Sequence, residues 1–236
     1  HAFERWMRHN VLPHYDPGYA NVCISLKALG RPPGDASASE MERIADLADR
    51  YGMGEIRFTY SQNVVIPHVR RDQLIRVFEG LGDIGLNGGE NGLIGDMIVC
   101  PGLDYCNLAN ARSLPLADRI FQHFADAGLR DEIGKIRLNI SGCINACGHH
   151  HAADIGILGV NKKGVENYQI SVGGRAGEDA AVGRILGPSF DEHRVPDAVA
   201  AIVGLYLHRR KPDETFGDAV VRLGVDVFKR ELYAAA

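Results

Sequence analysis

The chain has 236 residues, 45% of them hydrophobic and 24% charged, with a formal net charge of −4. That balance gives no reason to expect a nucleic-acid partner, and the length suits one large or two small domains around a substantial core. No apolar run approaches the roughly 20 residues a membrane helix needs, and no secretory signal opens the sequence, so a cytoplasmic setting is expected.

The opening HAFERWMRHNVLPHYDPGY lacks an initiator Met and reads as part of a longer protein. NVCISLKAL (21–29) then contains a short strand-like run, followed by the loop GRPPGDASA. Ser39 and Glu42 are expected to form an S-x-x-E capping box. Met41, Ile44, Leu47, Ala48 and Tyr51 fall at helical spacing behind it, and Gly52 and Gly54 stop that helix. EIRFTYS (55–61) and NVVIPHV (63–69) read as two strands. Leu74, Val77, Phe78 and Leu81 share one side of a second helix over 71–82. The order β-α-β-β-α predicts a ferredoxin-like split βαβ unit, placed at residues 1–88.

LNGGENGLIGD (86–96) is rich in Gly and Asn and marks a boundary, so a second domain is placed at residues 92–236. A short apolar run, DMIVC, ends at Cys100; residues 113–128 predict one helix, and KIRLNIS (135–141) predicts a strand running into Cys143. ADIGILGV (153–160) and ENYQISVGG (166–174) predict paired strands joined by the turn NKKG. Two helices close the chain, PDAVAAIVGLYLHRR and then TFGDAVVRLGVDVFKREL, the latter capped by Thr215.

Five cysteines are present. In a reducing compartment they suggest ligands more than disulfides. CPGLDYC spaces Cys100 and Cys106 as C-x5-C, and after 36 residues CINAC spaces Cys143 and Cys147 as C-x3-C. Two loops with two thiolates each suit one metal centre, and both zinc and iron–sulfur clusters accept four thiolates. Zinc knuckles generally use C-x2-C, whereas the wider spacings here suit a cubane, whose iron corners lie further apart. The plainer alternative is four buried thiols, since free Cys is a good small core residue. Cys23, inside an apolar run, reads as core. His149, His150 and His151 cannot all face one site from a regular element. One is a candidate donor to a cluster sulfur or an anionic cofactor, and another is expected at the surface.

CPGLDYC, RLNISGCINACGHHHAADIGILG and YQISVGGR together resemble the sulfite and nitrite reductase hemoprotein family, whose enzymes couple sirohaem to a [4Fe–4S] cluster. EIRFTYSQNVVIPHV resembles that family's R-x-T-x-x-Q-N strand, and KALGRPPGD the loop before its helix. The resemblance implies an α+β chain: a ferredoxin-like half-domain followed by an α/β sirohaem and [4Fe–4S] domain. It implies that Cys100, Cys106, Cys143 and Cys147 ligate the cluster, with Cys147 also bridging to the sirohaem iron. It places Arg57, Thr59, Gln62 and Asn63 facing sirohaem, whose carboxylates need cations and amide donors.

The activity implied is six-electron reduction of a small oxyanion, sulfite to sulfide or nitrite to ammonia. CINACGHHH looks closer to assimilatory sulfite reductases, because the nitrite enzymes more often show C-P-N-S-C. The electron donor would be ferredoxin or a flavoprotein subunit, since no flavin or nicotinamide motif appears. Only the second of the family's two related halves is resembled. A missing N-terminal half of the same enzyme is therefore the expected source of the anion clamp, and no catalytic acid is named. A non-catalytic iron–sulfur or zinc module would keep the four cysteines but has no use for the R-x-T-x-x-Q-N strand.

Overall fold

Val22 and Ile24 alternate within 20–26, and Val64, Val65, Ile66 and Val69 enrich 63–69 in β-branched residues; such runs form strands when one face has something to bury. The structure, a computed structural model, describes residues 1–234. The chain falls into two units, His1–Gly92 and Leu93–Ala236.

In the first unit, helix α1 (Ala2–Asn10) leads to strands β1 (Val11–Leu12) and β2 (Tyr19–Ser25) and helix α2 (Ala38–Tyr51). Strands β3 (Arg57–Phe58) and β4 (Asn63–Arg70) and helix α3 (Leu74–Gly82) follow. The sheet order is β1-β2-β4-β3, and each neighbouring pair is antiparallel. β2 and β3 therefore run parallel with β4 between them, which makes α2 the crossover of a split βαβ unit. Val22, Ile24, Val64 and Ile66 share one core with Trp6, Ile44, Leu47, Val77 and Leu81 of the three helices. Burying each such side chain contributes about 1.5–3 kcal/mol. Cys23 is buried too, but it alternates away from this cluster and donates its thiol to Asn91 Oδ1 at 3.3 Å.

Three local expectations need correcting in this unit. The capping box is Ser37 with Glu40, two residues earlier than expected: Ser37 Oγ accepts from Glu40 N, and Glu40 Oε2 accepts from Ser37 N. Both pairs satisfy S-x-x-E, and the earlier one wins because Arg31 also reaches Glu40. The strand expected over 55–61 shrinks to Arg57–Phe58, because Gln62 N donates to Thr59 O and closes a turn there. Helix α1 was not foreseen; Phe3 and Trp6 anchor it on Phe78.

In the second unit, strands β5 (Ile98–Val99), β6 (Leu138–Ser141), β7 (Ile155–Lys162), β8 (Val165–Val172) and β9 (Arg184–Ile185) form one sheet in that order. β5, β6 and β7 are parallel, while β8 and β9 are added antiparallel. β7 and β8 meet through Lys163 and Gly164, both at positive φ (56° and 86°), as a tight two-residue hairpin turn requires. Helices α4 (Leu114–His123), α5 (Ala127–Ile133), α6 (Val195–Arg209), α7 (Phe216–Leu223) and α8 (Val225–Ala234) complete the unit. Leu138, Ile140, Ile155, Ile157, Tyr168 and Ile170 share a core with Leu116, Ile120, Ile202 and Phe216.

Here too, two helices expected to be continuous are split. Asp126 caps α5 by accepting from Leu129 N at 2.7 Å, and Arg130 Nη1 donates to Phe124 O and Ala125 O in the connection just after α4. Thr215 caps α7 as expected, but Gly224 at φ 81° ends that helix and starts α8.

Candidate metal centre

Leu138 and Ile140 of β6 enter the helix-packed core, so Asn139 and Ser141 point to the opposite face. There they hold the segment that carries the second cysteine pair. Ser141 Oγ accepts from Gly148 N at 3.1 Å, and Asn139 Nδ2 donates to His149 O at 3.3 Å. Gly148 lies so close to β6 that a Cβ there would sit 2.1 Å from Ile140 O.

Cys100 directly follows β5 and Cys143 follows β6, so both cysteine pairs leave the carboxyl ends of adjacent parallel strands, where open α/β sheets commonly bind ligands. The two loops are joined by hydrogen bonds. Cys100 N donates to Ile140 O at 3.1 Å, and Gly142 N donates to Cys100 Sγ at 3.0 Å. Asn110 N and Ala111 N both donate to Gly142 O, at 2.8 and 3.1 Å. Within the first loop, Cys106 N donates to Gly102 O at 2.9 Å. Gly102 needs its lack of a side chain twice over: its φ is 61°, and a Cβ would meet Ser113 N at 2.6 Å.

The four thiols differ in exposure. Cys100 and Cys143 are buried, Cys106 is half-buried and Cys147 is exposed. Ala146 and His149, on either side of Cys147, adopt left-handed φ of 57° and 53°. Such non-glycine conformations cost about 1–3 kcal/mol and concentrate at functional sites. Hydrogen bonds from Ala146 N to Cys143 O and from His149 N to Ala146 O hold the shape.

Among the described residues, no three His, Cys, Asp or Glu side chains converge as a single metal ion requires. A cubane takes one thiolate per iron corner, and this all-thiol set, with a backbone N–H aimed at one sulfur, fits it. Cys147, exposed at the tip of its loop, is the thiol free to meet a second group.

His149 and His151 are exposed, and His150 is half-buried with its Nδ1 lacking a protein partner. Burial, aided by the neighbouring His151, holds the His150 imidazole down to about 4, so it is neutral at pH 7. Asn139 Oδ1 is likewise buried without a partner.

The strand-motif residues of the first unit divide by role. Arg57 is exposed and paired with Glu55 at 2.5 Å, and Gln62 is half-buried at φ 58°. Thr59 Oγ1 accepts from Asn63 N at 3.1 Å, and the buried Asn63 accepts from Leu26 N at 3.2 Å, so both build the turn itself. Sequence reasoning passed over Lys27, which lies in the motif KALGRPPGD. It is buried, and its Nζ donates to Ser61 O, Gln62 O and Asn63 Oδ1. A lysine at the end of an apolar strand was the available signal. Thr59 and Asn63 therefore support the turn, while Arg57 stays at the surface with Glu55.

The first unit has the split βαβ order, and the second carries paired thiol loops at the ends of β5 and β6. Residues 94–235 match the family model described as nitrite and sulphite reductase 4Fe-4S domain, and residues 28–84 match the nitrite/sulfite reductase ferredoxin-like half domain. The chain belongs to this family. It is 29% identical over 225 residues to sulfite reductase [ferredoxin] 2 of Mycolicibacterium paratuberculosis, covering 89% of this chain and 40% of that protein. It is 32% identical over 191 residues to the chloroplastic ferredoxin–nitrite reductase of Zea mays, covering 75% of this chain and 32% of that one. The structure of Mycobacterium tuberculosis NirA matches with a TM-score of 0.75 at 27% identity, covering 93% of this chain and 41% of NirA. Dissimilatory sulfite reductase I matches with a TM-score of 0.73 at 16% identity, covering 91% of this chain and 69% of its own, a likeness of fold alone. The chain therefore spans no more than about 40% of the length of these two curated relatives. No helix among the described residues is long and apolar enough to cross a membrane.

Proposed function

We propose that this chain is the cluster-bearing part of an assimilatory sulfite reductase that reduces sulfite to sulfide with six electrons. Cys100, Cys106, Cys143 and Cys147 would hold a [4Fe–4S] cluster, and Cys147 would bridge it to sirohaem. The observation that carries this reading is the joining of two thiol loops at the ends of β5 and β6, with Gly142 N–H donating to Cys100 Sγ. When bound, the coupled cofactors supply single-electron storage and an open iron position for the oxyanion.

The chain's own residues do the rest. The buried Cys100 and Cys143 fix one side of the donor set, and Cys147 presents its sulfur outward. Arg57 and Gln62 are proposed contacts for sirohaem, with Thr59 and Asn63 shaping the turn that carries them. The substrate clamp is proposed to come from a preceding half of the same enzyme, and ferredoxin is the proposed donor, as the relatives' names suggest. Sulfite is preferred to nitrite because CINACGHHH departs from C-P-N-S-C and because the sulfite reductase relative covers more of the chain. The nitrite reading keeps the support of the Zea mays enzyme's 32% identity.

The test is anaerobic purification of the full-length enzyme containing these residues, followed by a visible spectrum and steady-state assays with reduced ferredoxin. Combined sirohaem and cluster bands, and a kcat/KM for sulfite above that for nitrite, are expected. A higher kcat/KM for nitrite favours the second reading. Cluster bands without sirohaem would reduce the protein to an electron carrier.

A further inference from the structure

The first cysteine loop returns to the sheet at Arg112, and both polar groups of that peptide are held by one strand. Arg112 N donates to Glu166 Oε2 at 2.7 Å. Tyr168 Oη donates to Arg112 O at 2.7 Å and lies 3.3 Å from the same Glu166 oxygen. Glu166 and Tyr168 are two apart on β8, so they share one face of the sheet. The Arg112 side chain adds a weaker link, its Nε 3.8 Å from Glu166 Oε1 and 3.9 Å from Asp104 Oδ1. Asp104 lies between Cys100 and Cys106, so this chain of contacts reaches back into the ligand loop.

The neighbouring residue is seated by shape. Ala111 is fully buried, and a Cβ on Gly159 of β7 would lie 2.7 Å from the Ala111 Cβ. Inward, Asn110 N and Ala111 N are tied to Gly142 O, and Ala109 N donates to Cys106 O at 3.1 Å. The arm from Cys106 to Arg112 is thus fastened on one side to the second cysteine loop and on the other to β8. The Tyr168 ring belongs to the apolar core, while its hydroxyl emerges beneath the loop. Burial beside Glu166 raises the phenol, so it stays a proton donor throughout the ordinary pH range.

Building on the reading of Cys106 as a cluster ligand, we propose that Tyr168 and Glu166 are positioning residues that clamp the Arg112 peptide and so fix where Cys106 presents its sulfur. They touch neither thiol nor cofactor. They act through the loop, as the outer hydrogen-bonding partners of metal ligands do.

The test starts from the metal-free 236-residue chain. Alkylation by iodoacetamide is followed by mass spectrometry, with Cys147 in the same molecule as the reference. Tyr168→Phe keeps the ring and loses only the hydroxyl; Glu166→Ala removes the carboxylate. Each is expected to raise the Cys106-to-Cys147 labelling ratio about fivefold, the effect of losing one such hydrogen bond. After anaerobic addition of iron and sulfide, the same variants are expected to release iron to a chelator about fivefold faster and to shift the EPR signal of the reduced cluster. An unchanged ratio in both variants overturns the inference, and so does a rise shared equally by all four cysteines, which marks general unfolding. A full-length wild-type enzyme that takes up no cluster, while the variants still raise the ratio, supports the clamp and overturns the cluster reading instead.

Discussion

Gly142 N–H and Cys100 Sγ meet at 3.0 Å across two adjacent parallel strands, in a contact that makes the two cysteine loops one structure. A thiolate accepting a backbone N–H is stabilised as an anion, which is the form that binds metal. The bond also dictates a glycine: a Cβ at 142 would lie 2.7 Å from Ala111 O. The placement of these proposed ligands is thus set by the backbone.

Gly148→Ala is expected to be among the most damaging single-methyl changes in the chain. Its new Cβ would fall 2.1 Å from Ile140 O, which is backbone and cannot swing aside. A loss of about 3 kcal/mol or more is expected, at the high end for point substitutions. Denaturant unfolding of the metal-free chain checks this, and wild-type stability would show that the loop does not lie against β6 as described.

The cap of α2 distinguishes two serines that are two residues apart. Ser37→Ala is expected to cost about 1 kcal/mol and Ser39→Ala less than about 0.5 kcal/mol. Glu40 of the same box is held down to about 2 from 4.5, first by its hydrogen bond from Arg31 and then by Ser37 N–H. A carboxyl lowered by folding stabilises above its unfolded value, and that stabilisation is lost as pH falls from about 4.5 through 2. Glu40→Gln should flatten the pH dependence of stability in that window, and an unaltered acid limb would contradict the assignment.

His150 has the opposite chemistry and the same acid sensitivity. Its folded value of about 4 lies below 6.5, so between these limits the unfolded chain binds the extra proton. The stability of the metal-free chain should therefore fall as pH drops from 6.5 towards 4, with no contribution from His150 above that range. Histidine NMR titration provides the check: a midpoint near 4 is expected for His150, and one near 6.5 would mean that the ring is not buried.

Much of this architecture could be read from the chain. β-branched and aromatic runs mark β2, β4, β7 and β8, and the helical spacing from Met41 to Tyr51 marks α2, because burial leaves a direct imprint on sequence. What escaped depended on competition between equal local signals or on distant partners. Ser37 and Ser39 both start an S-x-x-E, and only Arg31 decides between them. Gly224 sits within a helical pattern, and its φ of 81° is set by the packing of α7 and α8. In the site, the C-x5-C and C-x3-C spacings were plain. The roles of Lys27, Glu166 and Tyr168 were not, because each acts on residues dozens of positions away.

Cys147 is the exposed thiol of the four and the proposed bridge. In the full-length enzyme, Cys147→Ser is expected to abolish magnetic coupling between haem and cluster in EPR or Mössbauer spectra and to lower sulfite turnover at least about a hundredfold, the range seen when metal-site partners are lost. Full sulfite reduction by this variant would refute the bridge.

Four thiols at the ends of β5 and β6 are proposed to hold one four-iron cluster. The most direct measurement is iron and acid-labile sulfide per chain, with EPR of the reduced state, in the anaerobically reconstituted wild type and in Cys100→Ser, Cys106→Ser, Cys143→Ser and Cys147→Ser. About four irons and four sulfides per wild-type chain are expected, with loss or conversion of the cluster in every variant. A full cluster that survives any two of these substitutions, or stoichiometric zinc in place of iron, would contradict that proposal.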